Sequence, residues 1–221
     1  FSLGRMTSAM RDVVTNRQSI GYTVASGYVF GAFLAYLSSA QQILQQQYSL
    51  GTRFPLYFAM LAITIGGASI LNAKLVVRYG MRVLSNWALR GICLASILFT
   101  AVASAASGHP PLWTLMTYLM ASFFGIGLLF GNLNALAMQP LGHIAGTGAA
   151  VVGASSMLIS LALGTLIGQS YNGTVLPLVV GFAVLSACSL VSAWWAELGT
   201  SARQAAPVTD TEIETTTGGI G

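Results

Sequence analysis

The chain alternates long apolar stretches with short polar ones, and the apolar stretches have the length of a membrane-crossing helix, roughly 20 residues. This pattern predicts spans over about residues 20–39, 55–71, 85–106, 112–137, 144–168 and 174–195. The polar stretches between them are the Gln-rich run 41–47, which leaves the membrane, the basic run 72–84, the Gly108-His109-Pro110-Pro111 break and a tight turn at 139–143. Backbone groups in lipid must be satisfied internally, so the expected fold class is an all-α membrane protein with a bundle of six transmembrane helices. Residues 1–19 read as a cytoplasmic linker segment. Met6, Met10, Val13 and Val14 give them the alternative of a short surface helix. Residues 196–221 are Thr/Gly-rich with Asp210, Glu212 and Glu214, show no apolar period, and read as a disordered cytoplasmic tail.

Helical phase sorts residues within these spans. In the fifth, Gly146, Ala149, Gly153, Ser156, Ser160, Gly164 and Gly168 follow one another at steps of three or four and form one small-residue stripe. In lipid such a stripe is a packing device, either fixed helix glue or a sliding contact that gates a transporter. In the first span, Tyr22, Ser26, Phe33 and Tyr36 share a face opposite Gly27 and Gly31. That face suits an amphipathic or aromatic ligand, or equally a buried helix contact. Asn132 and Asn134 lie about 200° apart on a helix, so one cavity cannot receive both. Asn134, flanked by Gly127 and Gly131, is assigned a helix–helix hydrogen bond, and Asn132 the polarity of a substrate cavity.

Composition supports the membrane class: 55% of the 221 residues are hydrophobic and 6% charged, against roughly 25% charged in soluble domains. Charge then orients the bundle. With the N-terminus in the cytoplasm, Arg5, Arg11, Arg17, Lys74, Arg78, Arg82, Arg90 and Arg203 fall on or near the inner side and Arg53 outside, as the positive-inside rule requires. Trp87, Trp113, Trp194 and Trp195 fall at span ends, where indole prefers the headgroup region. Both termini are therefore expected in the cytoplasm. The start at Phe1 shows no charged segment with a cleavage site, and the chain reads as a piece of a longer one.

Catalysis finds little support. His109 and His143 fall on opposite sides, and Cys93 and Cys188 lie within spans, so neither a metal site nor a disulfide framework is expected. Gly153-Ala154-Ser155-Ser156 resembles the serine motif of rhomboid proteases, yet no histidine base follows His143. The chain is read as no enzyme and as needing no cofactor or nucleic acid.

Two stretches carry a family resemblance. NAKLVVRYGMRVL, residues 72–84, resembles the cytoplasmic loop signature of the major facilitator superfamily through Arg78, Gly80 and Arg82, with Val77 where an acid is usual. FGNLNALAMQPLGHIAGTGAAVVGA and NRQSIGYTVASGYVFGAFLAYLSSAQQILQQQY are similar to the Bcr/CflA drug:proton antiporters, the bicyclomycin and chloramphenicol resistance subfamily. The resemblance implies the C-terminal half of such an exporter, in a bacterial inner membrane. It would move small, partly apolar antibiotics by alternating access coupled to proton influx, with a missing N-terminal half as partner. Tyr22, Ser26, Phe33, Tyr36 and Asn132 would form the substrate wall. Gly146, Gly153, Ser156, Ser160 and Gly164 would form the moving contact, and Arg78, Gly80 and Arg82 the inner latch. Proton coupling needs an acid in the membrane, and the carboxylates fall at Asp12, at Glu197 or in the tail, outside the predicted spans. Coupling is therefore assigned to the other half. The alternative is a non-transporting membrane scaffold, or a six-span half that works as a dimer.

Overall fold

Helix α2, Arg17–Gln41, is the hub of the molecule, a computed structural model that describes residues 3–204, with side chains from 7 to 198. It opens on Asn16, whose side chain accepts from the Ser19 amide at 3.1 Å and so satisfies one of the free N–H groups of the first turn. Before it stands α1, Leu3–Thr15; after it come α3 (Phe54–Tyr79), α4 (Met81–Ala105), α5 (Leu112–Met138), α6 (Ala145–Gln169) and α7 (Leu176–Gln204). Packing follows a simple plan. Helices α2, α7, α4 and α5 form a closed ring, α6 lies against α2, and α3 lies against α5.

Among the described residues, five continuous helical stretches are long and apolar enough to cross a membrane. The fourth, Leu112–Gln169, is α5 and α6 joined through a tight 3₁₀ turn, Gln139–Ile144. The chain reverses there because Leu141 leaves helical geometry (φ −103°, ψ 20°) while its side chain stays buried.

Several boundaries differ from those the polarity pattern predicts. Residues 1–19 contain helix α1, which buries Ala9 and Val13 and leaves Met10 and Val14 exposed, so the packing face lies beside the expected one. The Gln-rich run does not leave the helix at once: it continues α2 as a π-helical turn, Gln42–Gln47, with Ile43 and Leu44 buried. Residues 72–84 are no loop. They finish α3 and begin α4, broken by Gly80 alone among them. Helix α7 continues past Trp195 to Gln204, into the stretch expected to be a disordered tail; residues 205–221 lie outside the described ones.

Gly80 makes the one-residue break possible. Its φ of 79° with ψ of 154° is backbone territory that L side chains rarely enter. An added Cβ would have no atom within 4 Å, so backbone strain acts alone. Gly80→Ala is expected to cost about 1–3 kcal/mol, read as a lower thermal midpoint in detergent.

Two sets of contacts define the ends of the bundle. At the basic end, the Arg17 Nε donates to the Trp195 carbonyl at 2.8 Å with the guanidinium 4.6 Å from the Trp195 ring centre. Gln18 donates to the Leu136 carbonyl (3.0 Å) and to the Gln139 Oε1 (2.9 Å), and Arg82 reaches the Gln18 Oε1 at 3.4 Å. At the opposite end, Gln47 donates to the Gly108 carbonyl and Tyr48 to the Pro110 carbonyl at 2.6 Å. Burial pushes the Tyr48 phenol up to about 12, which keeps it a donor throughout the physiological range. His143 faces Asp12 at the basic end and His109 bonds the Ser107 carbonyl at the other, so the two histidines are indeed far apart.

Candidate functional site

The small-residue stripe of α6 divides into two parts. Its C-terminal part is packed on α2: the Ser156 hydroxyl donates to the Thr23 carbonyl and the Ser160 hydroxyl to the Gly27 carbonyl, both at 3.0 Å. Gly164 lies so close to α2 that a Cβ would come 2.6 Å from the Leu34 Cβ and 3.0 Å from the Gly31 carbonyl oxygen. At Gly168 a Cβ would come 2.5 Å from the Ser38 Cβ. The reciprocal side is just as tight, since a Cβ at Gly27 would come 2.8 Å from Ile159. Small residues thus let two backbones approach and let hydroxyls reach carbonyls across the helices. The N-terminal part is bare. Gly146, Ala149 and Gly153 are exposed, and neither glycine has an atom within 4 Å of an added Cβ.

Helix α3 packs on α5 through small residues of its own. It buries Leu61 and Ala68 and exposes Ile63, Ile70, Leu56 and Val77, among others. Its contact with α5 depends on Gly127, where a Cβ would come 2.7 Å from the Ile65 carbonyl oxygen and 2.8 Å from the Ala68 Cβ. Nearby, Asn132 and Asn72 exchange two amide hydrogen bonds, 2.8 and 3.1 Å long. The interhelical bond assigned to Asn134 is thus made by Asn132. Asn132, buried, makes the interhelical bond, and Asn134 bonds the Phe130 carbonyl of its own helix at 3.3 Å. Sequence phase could not show this, because the mate, Asn72, stands in what reads as a loop.

Between α2, α3 and α5 the rings gather into an aromatic wall. Phe33 meets Phe123 and Phe130 edge-on at 5.7 Å, Phe30 stacks on Phe130 at 4.6 Å, and Tyr36 meets Phe123 at 4.8 Å and Phe58 at 6.2 Å. Phe123 and Tyr36 are its buried base, and Phe30, Phe33, Phe130 and Phe58 its partly open surface. Within the base, the Tyr36 hydroxyl is buried and has no hydrogen-bond partner among the described residues; the Ser26 hydroxyl, further along α2, is in the same condition. Of the expected substrate residues, Phe33 and Tyr36 belong to this wall. Asn132 belongs to the α3–α5 contact, and Ser26 is buried in the bundle.

Tyr22 has a different role. Its hydroxyl donates to Glu197 Oε1 at 2.9 Å, and Asn86 donates to both carboxylate oxygens at 3.2 and 3.4 Å. Helix α7 carries Glu197 two residues beyond the expected end of the span at Trp195, and Tyr22 and Asn86 tie its carboxylate to α2 and α4. Arg78 lies over the Tyr79 ring at 5.3 Å, and Arg82 reaches Gln18, so the motif residues flank the Gly80 break at the basic end.

Two curated relatives match most of the chain. An uncharacterized MFS-type transporter of Bacillus subtilis is 27% identical over 169 residues, 76% of this chain and 41% of the relative. A bicyclomycin resistance protein homolog of Haemophilus influenzae is 23% identical over 178 residues, 80% of this chain and 43% of the relative. This chain is similar to MFS-type transporters. It spans about two fifths of the length of the relatives it matches. No family model and no solved structure matches it. The similarity and the apolar helices together support a multi-pass membrane protein.

Proposed function

We propose that the chain is one six-helix lobe of a major facilitator drug exporter of the Bcr/CflA type, α2 to α7 being the six spans. The observation that carries this is the unfinished side. The bare glycines of α6 and the apolar side of α3 flank the aromatic wall of α2 and α5, which a facing lobe of similar build would cover. Alternating access would then rock two lobes about a ligand held between them.

Division of the α6 stripe gives the movement a physical basis. From Ser156 to Gly168 the helix is bonded to α2 and travels with it; from Gly146 to Gly153 it is free to slide on a partner. The partly open rings suit a small, partly apolar antibiotic whose apolar body would lie on them. Protons would be the coupling ion. Glu197 is held by Tyr22 at the basic end, roughly 12 Å along α2 from Phe30 at 1.5 Å per residue, so the coupling carboxylate is assigned to the other lobe. The basic end, with both termini, would face the cytoplasm of a bacterial inner membrane.

Binding tests the wall. A fluorescent, partly apolar aromatic amine titrated onto the detergent-solubilised chain should lose about tenfold in affinity, ~1.4 kcal/mol, in Phe33→Ala or Phe130→Ala. Unchanged affinity in both variants, with unchanged thermal midpoints, would remove the ligand role from these rings.

A further inference from the structure

Arg90 is the eighth residue beyond Arg82 on α4 and the ninth after Met81, roughly 13 Å into the helix at 1.5 Å per residue. It is exposed, and its neighbours one turn to either side are apolar: Trp87 is 58% exposed and Leu94 59%. Among the described residues, no hydrogen bond or ion pair engages its guanidinium. An exposed guanidinium flanked by apolar side chains on a membrane-spanning helix suits an anionic partner. It borders a recess of about 240 Å³ between α4 and α7, lined by Asn86, Arg90, Leu190, Val191, Trp194 and Glu197. The recess therefore offers a guanidinium, a carboxylate, an indole and an apolar wall.

We propose that this recess binds the headgroup of an ethanolamine phospholipid, a site separate from the aromatic wall. Arg90 takes the phosphodiester in a forked, charge-assisted contact. Glu197, oriented by Tyr22 and Asn86, faces the ammonium two carbons further on. Leu190 and Val191 receive the start of an acyl chain, and Trp194 sits at the interface as indole prefers. A purely anionic headgroup meets Glu197 unfavourably, and a choline headgroup has no N–H to donate. The paired charges thus select the zwitterion that can donate hydrogen bonds. The assignment rests on the chain lying in a bilayer, and the control below tests that separately.

The experiment uses the full 221-residue chain in lipid nanodiscs, with brominated acyl chains quenching tryptophan fluorescence. Ethanolamine lipid should bind about tenfold more tightly than choline lipid. Arg90→Gln should weaken ethanolamine and glycerol phospholipids alike, and Arg90→Lys should restore part of the binding. Glu197→Gln should abolish the preference for ethanolamine over choline while glycerol lipid still binds. Since Glu197 is also bonded within the bundle, the arginine variants carry the test if Glu197→Gln melts early. Equal binding of ethanolamine and choline lipids, or an Arg90→Gln variant identical to the parent, would overturn the site as a merely snorkelling arginine. Competition by millimolar inorganic phosphate would also overturn it, in favour of a free-anion site. Absence of quenching by every lipid would instead show that the chain is not in the bilayer.

Discussion

Gly164→Leu should separate α6 from α2. A first added carbon would already lie 2.6 Å from the Leu34 Cβ, 3.0 Å from the Gly31 carbonyl oxygen and 3.1 Å from the Ala35 nitrogen, and backbone atoms cannot move aside as a side-chain end can. The expected loss is at the upper end of overpacking, about 3 kcal/mol, because the shift also breaks the Ser160–Gly27 bond one turn away. Gly153→Leu is the matched control. It stands on the same stripe with no atom within 4 Å, so the thermal midpoint should change by less than ~0.5 kcal/mol equivalent. If both variants melt like the parent, or both collapse, the division of the stripe is wrong. Under the proposed function the control has a second consequence: Gly153→Leu should leave the lobe intact and damage its assembly with a partner.

The second large effect concerns the asparagine pair. Asn132→Leu removes both amide bonds at once and leaves Asn72 without its mate, for an expected cost of about 1–2 kcal/mol. The doubly substituted Asn72→Leu/Asn132→Leu chain should recover part of that, since no amide is then stranded. A double-mutant cycle by chemical denaturation measures the coupling. Additive losses would mean that the pair contributes nothing as a pair. Asn134→Leu, whose bond is made within its own helix, should be milder than Asn132→Leu.

These cases show what could be read in advance. The apolar stretches were legible because a bilayer demands about 20 residues of grease, and nothing else in the chain looks like that. Their ends were not. Residues 72–84 are basic and amphipathic, which a helix emerging from lipid tolerates as readily as a loop, so polarity alone misplaced the end of α3 and left Asn72 out of view. The same reason hid Glu197: two tryptophans and an acid look like a span's exit, whereas α7 keeps Ala196 buried against Gly21 of α2. Helical phase put Phe33 and Tyr36 on one face, and both are in the aromatic wall. Phase said nothing of depth, so Tyr22, on the same face, proved to be a partner of Glu197. Phe123, Phe130 and Phe58 were missed because a wall of rings from three helices is a property of how the helices cross. The repeats Phe30/Phe33, Phe54/Phe58 and Phe123/Phe130 at helical spacing were the available signal. The small stripe was visible as a stripe, yet which part of it was occupied depended on where α2 ends its contact.

Drug movement across a sealed membrane measures the central claim most directly. The 221-residue chain, reconstituted by itself into liposomes with an imposed proton gradient, is expected to pass no drug above the rate of protein-free vesicles, because under the proposed function a single lobe has no second lobe to rock against. Gradient-dependent, saturable drug flux from these residues alone would contradict the account.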